Sequence, residues 1–306
     1  MAKILIATEK PFAKIAVDGI KEVAETAGLE VVLLEKYTEK AQLLAAVADV
    51  EAMIIRSDKI DNEVFDAAKN LKIVVRAGAG YDNVDLAAAT AHGVVVMNTP
   101  GQNSNAVAEL VFGMLVFAVR NFYNGKAGTE LKGKKLGILA YGNVGRRVAH
   151  IAKGFDMDVY AYDAYCLAAA IESDGVKAVS SQDELFEKCE VVSLHIPATA
   201  ETRQSINYAL VGKMPKGGVL VNTARKEVIN EPELLKLMQE RTDLKYVTDI
   251  MPEADADFRI LEGRYFSTPK KMGAQTAEAN INAGVAAAHQ IAAFFKDGCT
   301  KYQVNK

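Results

Sequence analysis

Between residues 136 and 163 the chain reads Leu136-Gly137-Ile138-Leu139-Ala140-Tyr141-Gly142-Asn143-Val144-Gly145 and, one helix length later, Val159-Tyr160-Ala161-Tyr162-Asp163. The order is strand, glycine turn, helix, strand, terminal acid. Gly142 and Gly145 let the backbone turn tightly and approach a pyrophosphate. The helix beginning near Asn143 and Val144 offers that group its unpaired N–H donors and partial positive charge. Asp163, 18 residues beyond Gly145, stands where a carboxylate accepts both hydroxyls of an adenosine ribose. The first position of the usual G-x-G-x-x-G is Ala140 here, so the pattern is A-x-G-x-x-G. The flanking strand and the distal acid point to a dinucleotide site rather than a merely structural turn. A carboxylate at 163 repels a 2′-phosphate, and residues 164–167 contain no arginine or lysine to neutralise one. NAD is therefore favoured over NADP.

Further along, Val221-Asn222-Thr223-Ala224-Arg225 places an arginine just beyond an apolar strand, at the carboxyl edge where open α/β sheets bind ligands. Its planar fork suits a carboxylate, although position alone does not separate it from a surface arginine. Asp249 ends the next strand and is placed to accept from the carboxamide of a nicotinamide, and Glu253 follows four residues later. Then comes Thr268-Pro269-Lys270-Lys271-Met272-Gly273. Nearer the start, Arg56-Ser57 follows one apolar strand and Arg76 the next. With Asn103, Ser104 and the Gly78 amide they can hold a carboxylate or a phosphate. A small keto acid such as glyoxylate does not require two extra cations, whereas a phosphorylated one does. Pairing with acidic neighbours is the competing explanation for both arginines.

Composition narrows the class. The 36 Lys and Arg nearly balance 39 Asp and Glu, which argues against a nucleic-acid or anionic-membrane partner. The longest uncharged apolar run, residues 110–119, is far short of the roughly 20 residues of a membrane span. Cys166, Cys189 and Cys299 are scattered and odd in number, as expected in a reducing cytoplasm. The start Met1-Ala2-Lys3-Ile4-Leu5-Ile6 reads as a strand rather than a signal peptide. No metal-binding cluster is expected.

The elements that must position these residues alternate regularly. Strands are expected at 3–7, 30–34, 52–55, 72–76 and 94–97, with helices at 12–27, 41–47, 62–68 and 86–91 between them. Asn98-Thr99-Pro100-Gly101 breaks the series, and a very apolar helix runs from about 105 to 119. A second series has strands at 136–140, 158–162, 177–179, 191–195, 219–222, 246–249 and 265–268, then a helix at 276–295. The tail 302–305 is expected to pass back to the first domain. Such alternation means parallel sheets covered on both faces. The expected architecture is α/β, with two doubly wound parallel-sheet domains, flavodoxin-like and Rossmann, and a cleft between them. The substrate-binding domain would comprise 1–99 plus 278–306, and the NAD-binding domain 100–277; 306 residues suffice for both.

Several segments in this order carry a resemblance. They are Arg76-Ala77-Gly78-Ala79-Gly80-Tyr81-Asp82-Asn83-Val84-Asp85, Asn98-Thr99-Pro100-Gly101-Gln102-Asn103-Ser104, Val107-Ala108-Glu109, Ser193-Leu194-His195-Ile196-Pro197 and Asn222-Thr223-Ala224-Arg225. The chain resembles the D-isomer-specific 2-hydroxyacid dehydrogenases over nearly its whole length, most of all the short D-3-phosphoglycerate dehydrogenases without regulatory domains. The resemblance implies NAD-dependent hydride transfer to or from a 2-hydroxy acid, with 3-phosphoglycerate and 3-phosphohydroxypyruvate, the entry to serine, as the expected pair. It makes Arg225 the substrate-binding and catalytic arginine, and Glu253 the acid that pairs with the proton donor. His195, Pro197, Thr223, Ala224, Asp249 and Gly273 fall on the cofactor side. A homodimer through the nucleotide domain is also implied.

Three departures bear on mechanism. The family's proton donor is a histidine directly after the proline, yet His92, His150, His195 and His289 all lie elsewhere. The slot holds two lysines, with one residue more before the glycine than in the family. Counting back from Gly273 selects Lys271; counting forward from Pro269 selects Lys270. Glu253 sits one residue closer to Asp249 than the family spacing, which leaves Asp255 as the fallback. An ammonium readily protonates an alkoxide, but it must first lose a proton to serve oxidation, and its ordinary pKa is about 10.4. Burial and Arg225 would lower that value, and Glu253 would raise it. Oxidation is thus expected to climb further into the alkaline range than in a histidine enzyme. Alternatively, the two lysines are a solvated pair that neutralises an anionic substrate. A glyoxylate or hydroxypyruvate reductase is the competing enzyme. An NADH-sensing interaction protein, like the C-terminal-binding corepressors, is the competing class: the missing histidine favours it, while Arg225 and the lysines weigh against it.

Overall fold

The computed structural model describes residues 1–305, which divide into two compact units, Met1–Asn103 with Thr276–Lys306 and Ser104–Gln275. The first alternates β1 (Lys3–Thr8), α1 (Lys14–Thr26), β2 (Glu30–Glu35), α2 (Lys40–Val47), β3 (Ala52–Ile55), α3 (Asn62–Ala67), β4 (Ile73–Arg76), α4 (Leu86–Ala91) and β5 (Val95–Asn98). Its sheet has the order β2-β1-β3-β4-β5 and is parallel throughout. The three central strands are apolar and almost wholly buried, as a sheet covered on both faces requires.

The second unit begins with α5 (Ser104–Val119), then β6 (Lys135–Leu139), α6 (Asn143–Gly154), β7 (Asp158–Tyr162), α7 (Ala168–Glu172), β8 (Lys177–Ala178), α8 (Gln182–Lys188) and β9 (Val191–Leu194). It continues through α9 (Tyr208–Val211), β10 (Val219–Asn222), α10 (Glu231–Glu240), β11 (Lys245–Thr248), α11 (Asp255–Arg259) and β12 (Tyr265–Ser267). The parallel sheet has the order β12-β11-β10-β9-β6-β7-β8, so its order reverses at β6. One core packs α5 and α6 against the sheet, and a second packs α8, α9 and α10 against the other face. The chain returns to the first unit through α12 (Ala277–Asp297).

Helix α12 packs on α1 at two glycines. A Cβ on Gly19 would come within 2.9 Å of Val285, and one on Gly284 within 3.1 Å of Ile20. The tail covers the β5 edge. Gln303 bridges Met97, while the Asn305 amide accepts from Val96 N–H and donates to the Val94 carbonyl, both at 2.8 Å. An open strand edge is thereby closed. The parallel doubly wound architecture is the expected one. Several ends differ by a residue: β6, β9 and β11 stop at Leu139, Leu194 and Thr248, so Ala140, His195 and Asp249 lie in the turns just beyond them. The short helices of the second series are set by local caps, with Ser181, Asn207 and Asn230 accepting from the N–H groups of Glu184, Leu210 and Glu233.

Candidate active site

The glycine turn is built as its residues dictate. Ala140 adopts φ 75°, the left-handed conformation that glycine takes without strain at this position. A Cβ on Gly145 would stand 2.5 Å from the Ala140 carbonyl, so only glycine lets α6 sit this close to β6. A Cβ on Gly142 would meet nothing within 4 Å. Open space therefore lies at the start of α6, where backbone N–H groups can meet a pyrophosphate. Asp163 braces the turn: one oxygen accepts from Tyr141 N–H at 2.7 Å, the other from Tyr165 at 2.7 Å and Cys166 at 2.9 Å.

No cation lies within 164–167, yet packing brings one from α6: the Arg146 guanidinium reaches 3.7 Å from Cys166 Sγ. It pairs with Asp174. Counting along the loop misses it because the cation arrives from another element.

Beyond β9, His195 shares a 2.9 Å hydrogen bond between its Nε2 and the Ser193 hydroxyl. Burial pushes its pKa down to about 3, which favours the neutral ring. Pro197 is exposed. The turn after β10 is held by Asn222, which is fully buried. Its amide accepts from Ala224 N–H at 2.9 Å and donates to the Arg225 carbonyl at 3.0 Å. That leaves the Ala224 carbonyl to receive two cations, Arg225 at 3.0 Å and Lys271 Nζ at 2.8 Å. Of the lysine pair, Lys271 is thus the one whose ammonium stands beside Arg225. Lys270 is exposed and forms no ion pair among the described residues.

Asp249 completes this group. It is fully buried, and its Oδ2 accepts from Gly273 N–H at 2.7 Å. Burial raises its pKa, against the opposing pull of Lys271, the Gly273 and Met272 amides and Arg225. Gly273 has no room for a side chain, since its Cβ would stand 2.8 Å from the Asp249 carboxylate. The acid expected to partner the donor lies elsewhere. Glu253 is 81% exposed and pairs with Lys226 at 2.9 Å, which holds its pKa below the usual carboxylate range. Its fallback, Asp255, accepts from Arg259 at 2.6 Å and from the Tyr265 hydroxyl at 2.7 Å. The pairing of Glu253 with a proton donor is therefore corrected: Lys226, directly after Arg225, captures it. The buried carboxylate acting on Lys271 is Asp249.

Two buried polar atoms at this edge have no hydrogen-bond partner, Asp249 Oδ1 and Thr223 Oγ1. Orphaned buried acceptors and hydroxyls are costly, and both suit the polar carboxamide and ribose groups of a nicotinamide nucleoside. Together with the space at Gly142, they show that the residues fit NAD.

In the first unit, Arg56 is fixed by neutral acceptors: the carbonyls of Lys10 and Pro11 at 3.1 and 3.2 Å, and Asn280 Oδ1. Its guanidinium also covers the Phe12 ring at 5.2 Å. No acid bonds the guanidinium among the described residues; Asp58, which accepts from the Arg56 N–H at 3.1 Å, acts on it through charge alone. Arg76 Nε donates to the Arg56 carbonyl at 3.1 Å, and its guanidinium fills the place a Cβ on Gly78 would occupy, 1.5 Å away. Gly78 is thus the residue that lets Arg76 fold in. Ser57 is exposed, Asn103 half-buried and Ser104, opening α5, buried. Among the described residues no metal-ligating cluster is present, and no helix is long and apolar enough to cross a membrane.

Residues 113–265 match the NAD binding domain of the D-isomer specific 2-hydroxyacid dehydrogenases. The NAD+-bound 3-phosphoglycerate dehydrogenase of Entamoeba histolytica is 49% identical with a TM-score of 0.90, covering 100% of this chain and 99% of that one. The D-3-phosphoglycerate dehydrogenase of Methanocaldococcus jannaschii is 33% identical across 95% of this chain, which spans 57% of that protein's length. A hydroxypyruvate reductase of Thermotoga maritima is 34% identical across 86% of this chain and 90% of its own length. The chain belongs to the D-isomer-specific 2-hydroxyacid dehydrogenase family, and its second unit carries the family's NAD-binding domain.

Proposed function

We propose that the chain is an NAD-dependent dehydrogenase that interconverts 3-phosphoglycerate and 3-phosphohydroxypyruvate. The observation that carries the reading is the convergence of Arg225 and Lys271 on one carbonyl, with buried Asp249 acting on both. Bound NAD supplies the hydride acceptor, and NADH the donor. Arg225 grips the substrate carboxylate and polarises the adjacent carbonyl. Lys271 Nζ gives its proton to the oxygen of that carbonyl during reduction, and takes the hydroxyl proton during oxidation. Asp249 Oδ1 orients the carboxamide, Thr223 lies beside it, and Asp163 holds the adenosine ribose. The phosphorylated substrate is supported by Arg56, a half-buried cation whose guanidinium hydrogen-bonds neutral groups and feels Asp58 only through its charge, with Arg76 and Gly78 beside it.

A hydroxypyruvate reductase is the second reading, favoured by the Thermotoga maritima relative. NADH oxidation with phosphohydroxypyruvate, hydroxypyruvate, glyoxylate and 2-oxoglutarate side by side decides between them. The first reading expects phosphohydroxypyruvate to lead in kcat/KM, with Arg56→Ala raising its KM at least tenfold. Equal turnover of unphosphorylated acids, with Arg56→Ala silent, would establish the second. We further infer a homodimer through the second unit, because the very apolar helix α5 leaves Val116 and Phe117 half-buried beside Tyr123, which is 66% exposed. Light scattering at working concentration tests it. The free cysteines fit a reducing compartment such as the cytoplasm.

A further inference from the structure

Arg146 follows the last glycine of the turn and folds back over it. Its guanidinium lies 4.8 Å from the centre of the Tyr141 ring, donates to Asp174 and reaches 3.7 Å from Cys166 Sγ. Cys166 is itself tied through its N–H to Asp163 at 2.9 Å. The cation and the carboxylate that would face the adenosine ribose thus share Cys166 as a neighbour, so a 2′-phosphate carried by that ribose would come toward Arg146. Asp174 sits just beyond α7 and also accepts from the Tyr141 hydroxyl at 3.1 Å, while its carbonyl receives Lys153 Nζ. The Arg146 and Asp174 side chains are 41% and 39% exposed, so a ligand can reach the pair.

We propose that Asp174 is a second determinant of NAD selectivity: by holding Arg146 against Tyr141 it withholds from a 2′-phosphate the cation that would otherwise receive it. NADP is then rejected twice, by the charge of Asp163 and by the capture of Arg146. An arginine fork matches a phosphate as well as it matches a carboxylate. Whether it is available depends on what already occupies it. Asp174 is a positioning residue, since it acts through Arg146. The proposal rests on the second unit binding NAD at the glycine turn.

The test measures NADH and NADPH binding to the whole chain by fluorescence titration, and kcat/KM with each coenzyme. Asp174→Asn is expected to keep NADH affinity within about twofold while improving NADPH affinity about fivefold. Adding Asp163→Ser should enlarge the gain, and adding Arg146→Met should abolish the part due to Asp174→Asn. An unchanged NADPH-to-NADH ratio in Asp174→Asn, or a gain that survives Arg146→Met, would overturn the proposal. Wild-type chain that binds neither coenzyme would instead refute the dinucleotide reading beneath it. If Asp174→Asn does not fold, Asp163→Ser with and without Arg146→Met still decides. With Asp174 in place the two should bind NADPH within about twofold of each other, and a large loss on removing Arg146 would contradict the capture.

Discussion

Asp249 and Glu253 stand four residues apart beyond the same strand, yet they occupy opposite environments. Asp249 is completely buried, held by the Gly273 N–H, and keeps one oxygen without a partner. Glu253 is 81% exposed, with Lys226 as its ion-pair partner. The strand end fixes the first, whereas the second sits on a loop and takes the nearest cation. A screened surface pair contributes little. A buried carboxylate beside two cations acts on both through a low local dielectric. At this site position relative to the strand, rather than the presence of an acid, sets chemical weight.

Substitution separates the two regions most sharply at the cations. Lys271→Met is expected to lower kcat for keto-acid reduction about 10²–10⁴-fold, the usual weight of a positioned acid, while Lys270→Met stays within about threefold; steady-state assays at saturating NADH check both. Asp249→Asn comes next. Removing its charge should weaken NADH binding about tenfold, near the lower end of the ~1.5–3 kcal/mol of a hydrogen bond to a charged group, as read by fluorescence titration. Glu253→Gln should leave kcat and its pH profile within about twofold, because only an exposed pair is lost. A large effect there would return Glu253 to the chemistry.

Local sequence accounts for the parts of the molecule in which neighbours in the chain are neighbours in space. The strand–turn–helix around Gly142 and Gly145 is legible because the six consecutive positions from Ala140 to Gly145 determine it. The parallel sheets are legible because short, mainly apolar strands alternate with helices. Ala140 shows the limit of the pattern. The turn demands a positive φ whichever residue is there, so the backbone accepts strain at an alanine. Ala140→Gly is accordingly expected to stabilise the second unit by about 0.5–1 kcal/mol, after allowing for the greater unfolded freedom of glycine, read as a small rise in Tm.

Non-local contacts are another matter. Lys271 meets the Ala224 carbonyl across 47 positions, and counting from Pro269 or from Gly273 gives two answers because the loop between them has an extra residue. The capture of Glu253 by Lys226 depends on how two loops fold toward each other. Arg146 approaches Cys166 from a helix, out of reach of any inspection of 164–167.

The smallest expected effect is a pH dependence in the first unit. His92 bonds the Ala88 carbonyl at 2.8 Å and Asp66 at 2.9 Å, and these partners raise its pKa above the ordinary value. A raised folded pKa favours the protonated ring in the fold. Its stabilisation is fully present below the unfolded value near 6.5 and fades as pH rises through the folded value. Thermal unfolding between pH 5.5 and 8.5 should show a slight loss of stability with rising pH that His92→Gln removes.

The central claim, that an ammonium rather than an imidazole handles the proton, is tested most directly by the pH–rate profile for NAD-dependent oxidation of 3-phosphoglycerate. The wild type is expected to gain rate well above pH 8, and Lys271→His should move that rise toward the ordinary histidine pKa of about 6.5. A wild-type profile that already turns near 6.5, unchanged in Lys271→Ala, would contradict the account.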